Sequence, residues 1–204
     1  MLTEFRIGLD AIATSSTPGF LDEEVYSLLN KAEDYIILES YKSKEYNNIY
    51  TLVKETTSIL LPSPVVGVRS NALPNDFWLY VESYSSMTRS GIDTSGFIPN
   101  LIMNGSLIEN LLIDAKDARK YAYTAFNTNK IIRQPYCYYS GNNINFITDD
   151  YTTTLSYVLK YIKKKLIISS TINSELPESI HRVVVDQAIK LAQQSLFSQL
   201  PNKQ

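Results

Sequence analysis

The chain has 204 residues, enough to bury a substantial core as one domain or as one domain with a small lobe. Its formal net charge of −2, with both signs interspersed, argues against the basic face of a dedicated nucleic-acid-binding protein. No apolar run approaches the length of a membrane span, and the first residues lack the basic start and apolar core of a signal peptide.

Tyrosine is unusually frequent, with 15 residues against 7 Phe and 1 Trp. A large apolar ring with a polar tip suits surfaces that are half buried against a partner. An AT-rich genome, which favours Tyr, Asn, Ile and Lys codons, explains the same excess, and the two explanations are compatible. The single cysteine, Cys137, excludes an internal disulfide and fits folding in a reducing cytoplasm, and its aromatic neighbours predict a packing role.

Residues 1–60 predict an N-terminal helical segment. Thr3 can cap a short first helix in which Phe5 lies on the apolar face, and a Pro-Gly turn then precedes a long helix over residues 21–41. Three acidic residues in the first turn of that helix face the positive end of its dipole. Its predicted apolar stripe consists of Val25, Leu28, Leu29, Ala32, Tyr35 and Ile36. Helical spacing over residues 43–59 is weaker.

Residues 61–172 predict a β-rich region with a short crossover helix. Residues 65–68 and 77–84 are rich in β-branched and aromatic residues, and a strand is expected over the second stretch, the alternative being a short helical turn that starts at Asn75 and Asp76. A long loop over residues 85–105, rich in Gly and Pro, is expected to follow. A strand over residues 107–113 then leads into a helix over residues 115–126, capped by Asp114. Further strands are predicted over residues 130–139, 142–148, 154–162 and 166–169, the first two joined by a Gly-Asn hairpin turn.

Residues 173–204 predict a closing amphipathic helix that begins at Pro177 and stops before Pro201. Its predicted apolar face consists of Ile180, Val184, Ala188, Leu191 and Ser195, flanked by Val183 and Ala192. The order of helices, then an antiparallel β region, then a helix predicts an α+β fold, as one compact domain with an extended loop.

Catalytic and metal-binding patterns are sparse, so we predict no catalytic, cofactor or metal site and no enzyme activity. His181 is the only histidine; a general base in a hydrolase is the functional interpretation, and a surface or interface histidine is the simpler one. No Gly-x-Ser-x-Gly elbow and no phosphate-binding glycine loop accompanies it.

Paired aspartates and a lysine run offer two further weak signals. Asp114 with Asp117, or Asp149 with Asp150, has oxygen ligands for a hard cation, but helix capping and turn formation explain these residues more simply. The lysine run at residues 163–165 has the charge to touch phosphates, yet a solvated strand end explains the whole basic cluster Lys160–Lys165 better.

Several short sequence segments of the chain resemble those of one protein family. They are residues 3–5 and 18–34 at the N-terminus, 112–121 and 127–135 in the middle, 155–164 and, most specifically, Glu-Leu-Pro-Glu-Ser-Ile-His at 175–181. In this order they resemble the ring, or head–tail connector, proteins of crAss-like tailed bacteriophages. Two parts depart from that pattern: the lysine run continues where the family has a proline, and residues 83–105 do not align.

The resemblance implies a virion structural protein, assembled in the bacterial cytoplasm, that forms an oligomeric adaptor ring at the portal vertex. The ring is expected to be a dodecamer that contacts the portal protein and other ring or tail proteins, with DNA only as channel content. The alternatives are another virion component, either capsid-associated or a tail-tube subunit, and the hydrolase using His181. The ring layer, the order of partners and the face that lines the channel stay open.

Overall fold

The computed structural model describes residues 1–10, 19–61, 68–89, 107–122, 135–147 and 152–199. The chain forms two compact units, unit 1 from Met1–Val53 with Lys164–Gln204 and unit 2 from Lys54–Lys163. The predicted segments were divided at residues 60 and 172, whereas the unit boundaries fall at 53 and 163. The N-terminal and C-terminal helices therefore belong to one unit, and the β region is inserted between them.

The predicted α+β fold is confirmed, with helices at both ends and antiparallel sheets in the middle. The helices in chain order are α1 (Leu2–Asp10), α2 (Asp22–Ser43), a 3-10 helix (Tyr46–Leu52), α3 (Ala118–Ala122) and α4 (Glu178–Gln199). The strands are β1 (Val53–Glu55), β2 (Ile59–Leu60), β3 (Val68–Ala72), β4 (Phe77–Arg89), β5 (Leu107–Glu109), β6 (Leu111–Leu112), β7 (Tyr136–Ser140), β8 (Asn143–Ile147) and β9 (Thr152–Lys163).

Unit 1 is a helical bundle in which α4 packs against α1 and α2. The long α2 begins where predicted, and the side chain of Glu24 accepts a hydrogen bond of 2.9 Å from the backbone N–H of Leu21. It ends at Ser43, and the following residue, Lys44, reverses the chain in the left-handed region with a φ of 61°. The buried residues of α2 and α4 form one core: Val25, Leu29, Ala32, Ile36, Ile37, Val184, Val185, Ala188, Ile189 and Ala192.

Unit 2 is built from two sheets. The first has the order β1-β9-β4-β5, with β2 also pairing with β9, and the second has the order β3-β8-β7-β6. Their facing sides share one hydrophobic cluster, in which the rings of Phe146 and Tyr157 lie 4.7 Å apart between centroids. The hairpin between β7 and β8 turns at Gly141, whose φ of 59° suits glycine in a two-residue loop, as the Gly-Asn signal predicted.

Several predictions about local structure are corrected. Thr3 lies inside α1 and does not cap it, and residues 43–59 form the end of α2, a 3-10 helix and two short strands in place of a further helix. Residues 85–89, predicted to open a loop, continue β4, and residues 90–105, the rest of that prediction, lie outside the described residues. The strand predicted at residues 107–113 divides into β5 and β6.

The remaining differences concern helix ends and one strand. Helix α3 begins at Ala118, three residues after the predicted start, and the predicted end at 126 lies outside the described residues. Residues 166–169 form no strand. In α4, Val184, Ala188 and Ala192 are buried as predicted, whereas Val183 is exposed and Val185 and Ile189 take its place in the core.

Candidate interaction surfaces

One edge of unit 2 consists of two consecutive strands separated by a single residue, Asn110. Strand β5 forms the edge of the first sheet beside β4, and β6 forms the edge of the second sheet beside β7. Three leucines on this segment are exposed: Leu107 by 60%, Leu111 by 44% and Leu112 by 39%. We call the segment Leu107–Leu112 the leucine edge.

The backbone of β5 leaves hydrogen-bonding groups pointing outward. The N–H of Asn110 donates to the carbonyl oxygen of Ser83 at 2.8 Å, so this residue is directed towards β4. Because alternate residues of a strand direct their backbone groups to opposite sides, Leu107 and Glu109 point theirs away from β4. Within the described ranges, no strand pairs with that outer side.

Strand β6 shows the same pattern in the second sheet. The N–H of Leu111 donates to the carbonyl oxygen of Pro135 at 2.8 Å, so the N–H of Leu112 points away from β7. Since Asn110 faces β4 and Leu111 faces β7, the remaining backbone groups of Glu109 and Leu112 lie on opposite sides of the segment, beside the exposed leucines.

A neutral polar cluster holds the junction between the two strands. Asn110 is buried, and its side-chain amide donates to Ser83 Oγ at 2.8 Å. Ser83 Oγ also lies 3.0 Å from Tyr80 Oη and 3.9 Å from Cys137 Sγ. Burial raises the pKa of the Cys137 thiol to about 11, and burial likewise raises the pKa of Tyr80. Cys137 is thus a packed, protonated thiol, in agreement with its predicted packing role.

The opposite side of unit 2 presents a second edge. Strand β3 pairs with β8, and no strand among the described residues covers its other side. Its exposed residues are Val68, Ser70 and Ala72, all small and uncharged. Strand β2, on the outer side of β9, exposes Leu60 by 81%. We call β2 and β3 together the β3 edge. Isolated edge strands are commonly protected by lysine, proline or a bulge, and the exposed residues of β3 include no lysine or proline.

The inward residues of β3 are polar. Asn71 donates to Tyr157 Oη at 2.9 Å across the two sheets. Arg69 is buried and donates through Nη1 to the carbonyl oxygen of Thr154, but its Nε and Nη2 have no partner in the part of the chain that the structure describes. Desolvation lowers the pKa of this guanidinium. Arg69 is therefore a buried charge with incomplete compensation.

Unit 1 contains a compensated buried charge. Glu33 on α2 is fully buried, and Lys165 Nζ lies 2.7 Å from its Oε2 and 3.3 Å from Asp34 Oδ1. The hydroxyl of Ser174 donates to the other oxygen of Glu33. The lysine run was predicted to be a solvated strand end, and for Lys165 that prediction is wrong, because the side chain is buried against α2.

Asn30 extends the same network along α2. Its side-chain oxygen accepts the N–H of Ile168 at 2.9 Å, and its amide donates to the carbonyl oxygen of Ile168 at 3.0 Å. The side chain thus replaces a strand partner for the irregular segment that follows Lys164. Glu175 accepts the N–H of Leu166 at 2.8 Å and Ile172 O accepts that of Ser169 at 2.9 Å, so these backbone groups are satisfied without the predicted strand.

The exposed apolar side chains of unit 1 do not lie on one strand or one helix face. They are distributed over its helices and connecting segments: Ile7, Leu21, Tyr35, Leu38, Tyr50, Leu166, Ile167, Ile172 and Val183. Single exposed apolar residues are common on protein surfaces, whereas the leucine edge combines several of them with outward backbone groups.

The residues considered for catalysis have structural partners. His181 Nε2 lies 2.9 Å from the carbonyl oxygen of Leu176 at the start of α4, an arrangement in which the ring N–H donates to the backbone. An open cleft of about 300 Å³ in unit 1 lies beside α1 and α2, and His181 does not line it. In the described part of the chain, the hydrogen bond of His181 is to the Leu176 carbonyl oxygen and not to a Ser, Thr or Cys side chain.

The paired aspartates are engaged with lysines. Asp114 Oδ1 accepts the backbone N–H of Lys116 at 3.1 Å, and the hydrogen bond to the Lys116 side chain is the main cause that lowers the pKa of Asp114. Asp117 pairs with Lys120 at 2.7 Å. Asp149 and Asp150 lie outside the described residues. No group of three or more His, Cys, Asp or Glu suited to a metal ion occurs in the described ranges.

The division of residues 107–113 into two edge strands was missed by sequence reasoning. The available signal is Asn110, a polar residue inside an otherwise apolar run, which marks the point where the chain changes sheets. None of the helices in the described ranges has the length and apolar character needed to cross a membrane. Comparison with protein-family models finds no match to this chain, and comparison with curated proteins finds none either.

Proposed function

We propose that this chain is a virion structural protein that forms an oligomeric ring at the portal vertex, connects capsid to tail and continues the DNA channel. The observation that carries the proposal is a set of sequence segments that resemble, in the same order along the chain, those of crAss-like ring proteins. The most specific phrase, residues 175–181, forms the entry to α4, where His181 contacts the carbonyl oxygen of Leu176. These residues therefore specify how α4 begins, and such a local structural function is what a structural protein needs from them.

The two edges of unit 2 support an assembling role. A closed ring requires a head-to-tail contact, in which two different surfaces of each subunit are complementary. The leucine edge and the β3 edge are different surfaces on opposite sides of one sandwich, and each exposes apolar side chains beside outward backbone groups.

The charge distribution supports a passive role towards DNA. The net charge is −2, and the lysine run contributes Lys165 to a buried ion pair within the protein. Lys160, the other lysine near this run, binds Glu82 at 2.8 Å. Tight phosphate binding needs several free cations on one face, so DNA is expected only as the content of the channel.

Copy number in purified phage particles tests the proposal. Quantitative mass spectrometry would compare this chain with the portal and major capsid proteins of the same particles. A ratio near one to the portal protein supports the ring at the vertex. A ratio near that of the capsid protein would replace the proposal with a capsid-associated role, and absence from the particle would remove it.

The histidine offers a separate test of the enzyme alternative. A His181→Ala variant, supplied to particles that lack the wild-type chain, is expected to assemble and infect like the wild type or to show an assembly defect. Loss of infectivity with intact assembly would instead favour chemistry at His181.

A further inference from the structure

We infer that unit 2 holds a small monovalent oxyanion of carboxylate geometry between its two sheets, on the guanidinium of Arg69. The anion acts as a structural ligand that joins β3 of one sheet to β4 and β9 of the other. Such a site goes beyond the proposed ring and does not depend on it. Three buried polar side chains and one irregularity of strand pairing point to it.

The side chain of Arg69 presents a pair of unused donors inside the protein. Arg69 is 4% exposed, and its Nη1 donates to the carbonyl oxygen of Thr154. Its Nε and Nη2 have no partner among the described residues. These two nitrogens form one edge of the planar guanidinium, where their N–H bonds point the same way and match the two oxygens of a carboxylate. The arginine is thus anchored at Nη1, with its bidentate edge left for a ligand.

Two buried hydroxyl groups of the facing sheet complement this edge. Thr154 on β9 and Ser85 on β4 are both fully buried, and neither hydroxyl has a partner in the described ranges. Ser85 pairs with Tyr157 across the strands, so their side chains share the inner face of the sheet. The Tyr157 hydroxyl accepts a hydrogen bond from Asn71, which follows Arg69 by two residues on β3. Both unused hydroxyls therefore face the part of β3 that carries the guanidinium.

A β-bulge in β9 directs Thr154 to this place. Ser86 of β4 pairs with Ser156. The next residue of β4, Met87, pairs with Thr154, so β9 has one extra residue at this point. In a regular strand Thr154 and Ser156 would share a face, and that face is turned away from Tyr157 and β3. The bulge thus brings the Thr154 side chain to the inner face, and bulges commonly re-aim side chains at functional sites.

The charge of Arg69 selects an anion over a water molecule. Water accepts hydrogen bonds but leaves the positive charge uncompensated, and buried charges in proteins are paired. No carboxylate in the part of the chain that the structure describes bonds to this guanidinium, and desolvation lowers its pKa. A single positive charge is neutralised by a monovalent anion, whereas a dianion would leave a buried negative charge.

Burial also limits the size of the anion. The unused nitrogens of Arg69 are shielded from solvent, so a carboxylate on the surface of another protein does not reach them. The ligand is therefore a free ion that the folded sandwich encloses, and its class is that of formate or bicarbonate. The two oxygens bind the guanidinium edge, and the hydroxyls of Ser85 and Thr154 donate to the same oxygens.

Equilibrium urea denaturation of the full chain in sodium formate tests the inference. Formate is the smallest carboxylate, and pivalate, a carboxylate too bulky for an enclosed site, keeps the ionic strength constant. Because the chain unfolds and refolds at equilibrium, the ion needs no entry path through the folded sandwich. Between about 5 and about 500 mM formate, the urea midpoint of the wild type should rise by about 0.5–1 M for each tenfold increase above the dissociation constant.

Three variants serve as matched controls. Arg69→Met removes the charge and the donors, so its midpoint should not respond to the exchange of pivalate for formate. Arg69→Lys keeps the charge without the bidentate edge, and Thr154→Val removes one hydroxyl but keeps the backbone carbonyl that binds Nη1. Each of these two should need about tenfold more formate for the same shift in midpoint. They decide the test by themselves if circular dichroism shows that Arg69→Met does not fold.

The outcomes that would overturn the inference are distinct. A wild type that does not respond to formate, or equal responses of the wild type and Arg69→Met, would remove the site. A response that appears only after Asp149 and Asp150 are both replaced by Asn would assign the partner of the guanidinium to the chain itself. Carbon NMR of isotope-labelled formate gives the direct readout, with a bound resonance expected in the wild type and absent from Arg69→Met.

Discussion

The two units treat buried polar groups in different ways. In unit 1 the buried polar interactions are ionic and paired: Glu33 meets Lys165, and Asn30 and Ser174 complete the network. In unit 2 they centre on neutral groups, such as Cys137 in its cluster with Ser83 and Asn110, and on Arg69, whose charge is only partly compensated. A buried charge is tolerated where its partners are fixed by packing, so we expect opposite responses to mutation in the two units.

The sharpest test of unit 1 introduces a buried carboxylate without a partner. Val184→Asp places the charge at a fully buried position of α4, and we expect a loss in free energy of unfolding of about 5 kcal/mol or an unfolded chain. Val183→Asp is the matched control, because the adjacent side chain is exposed and should change stability by less than about 0.5 kcal/mol. Urea denaturation measures both, and equal values would show that the assigned face of α4 is wrong.

Removing one partner of the existing pair should cost somewhat less. Glu33→Ala leaves Lys165 with Asn30 and the partly exposed Asp34 but without its buried carboxylate, with an expected loss of about 3–5 kcal/mol in free energy of unfolding. Glu39→Ala, on an exposed position of the same helix, is the control. The double replacement of Glu33 and Lys165 by Met should recover part of the loss, and no recovery would contradict the assignment of an ion pair.

The neutral cluster of unit 2 should respond to alkaline pH. The folded thiol of Cys137 keeps its proton up to about pH 11, whereas an unfolded cysteine loses it near pH ~8.5. Its contribution to stability is therefore complete below the unfolded pKa and is lost as the pH rises towards the folded pKa. We expect the wild type to lose stability between these values with an additional slope of up to about 1.4 kcal/mol per pH unit relative to Cys137→Ala. Identical slopes would place the thiol in contact with solvent.

The smallest expected effect is a gain. Arg69→Met removes a buried charge whose Nε and Nη2 lack partners among the described residues, and the free energy of unfolding should rise by about 1 kcal/mol. Arg69→Lys keeps the charge and should give no such gain. A clear loss of stability in Arg69→Met, measured by the same urea denaturation, would mean that the guanidinium is fully compensated in the folded protein.

The sequence was most informative where local physics decides the outcome. The acidic first turn of α2, Pro177 before α4 and the Gly-Asn hairpin act over a few residues, and the structure contains all three features. The β-rich middle region was likewise predictable from its β-branched and aromatic residues.

Long-range packing decided what the sequence could not show. The burial of Lys165 depends on Glu33, which is 132 residues away in the chain. The break of residues 107–113 at Asn110 depends on Ser83 of β4, and the exposed leucines beside it depend on which strands lie at the sheet edges. The hydrophobic periodicity of the N-terminal and C-terminal helices does not indicate that these helices pack together in one unit.

The discontinuity of unit 1 has a consequence for modularity. Unit 2 enters the chain at Lys54 and leaves it at Lys163, and the two ends of this insert lie side by side, because β1 and β9 are neighbours in one sheet. An insert with adjacent ends can be cut out and the host rejoined by a short linker. The chain thus places its β unit as one continuous insert in a discontinuous helical unit, and both ends of that insert are joined by strand pairing.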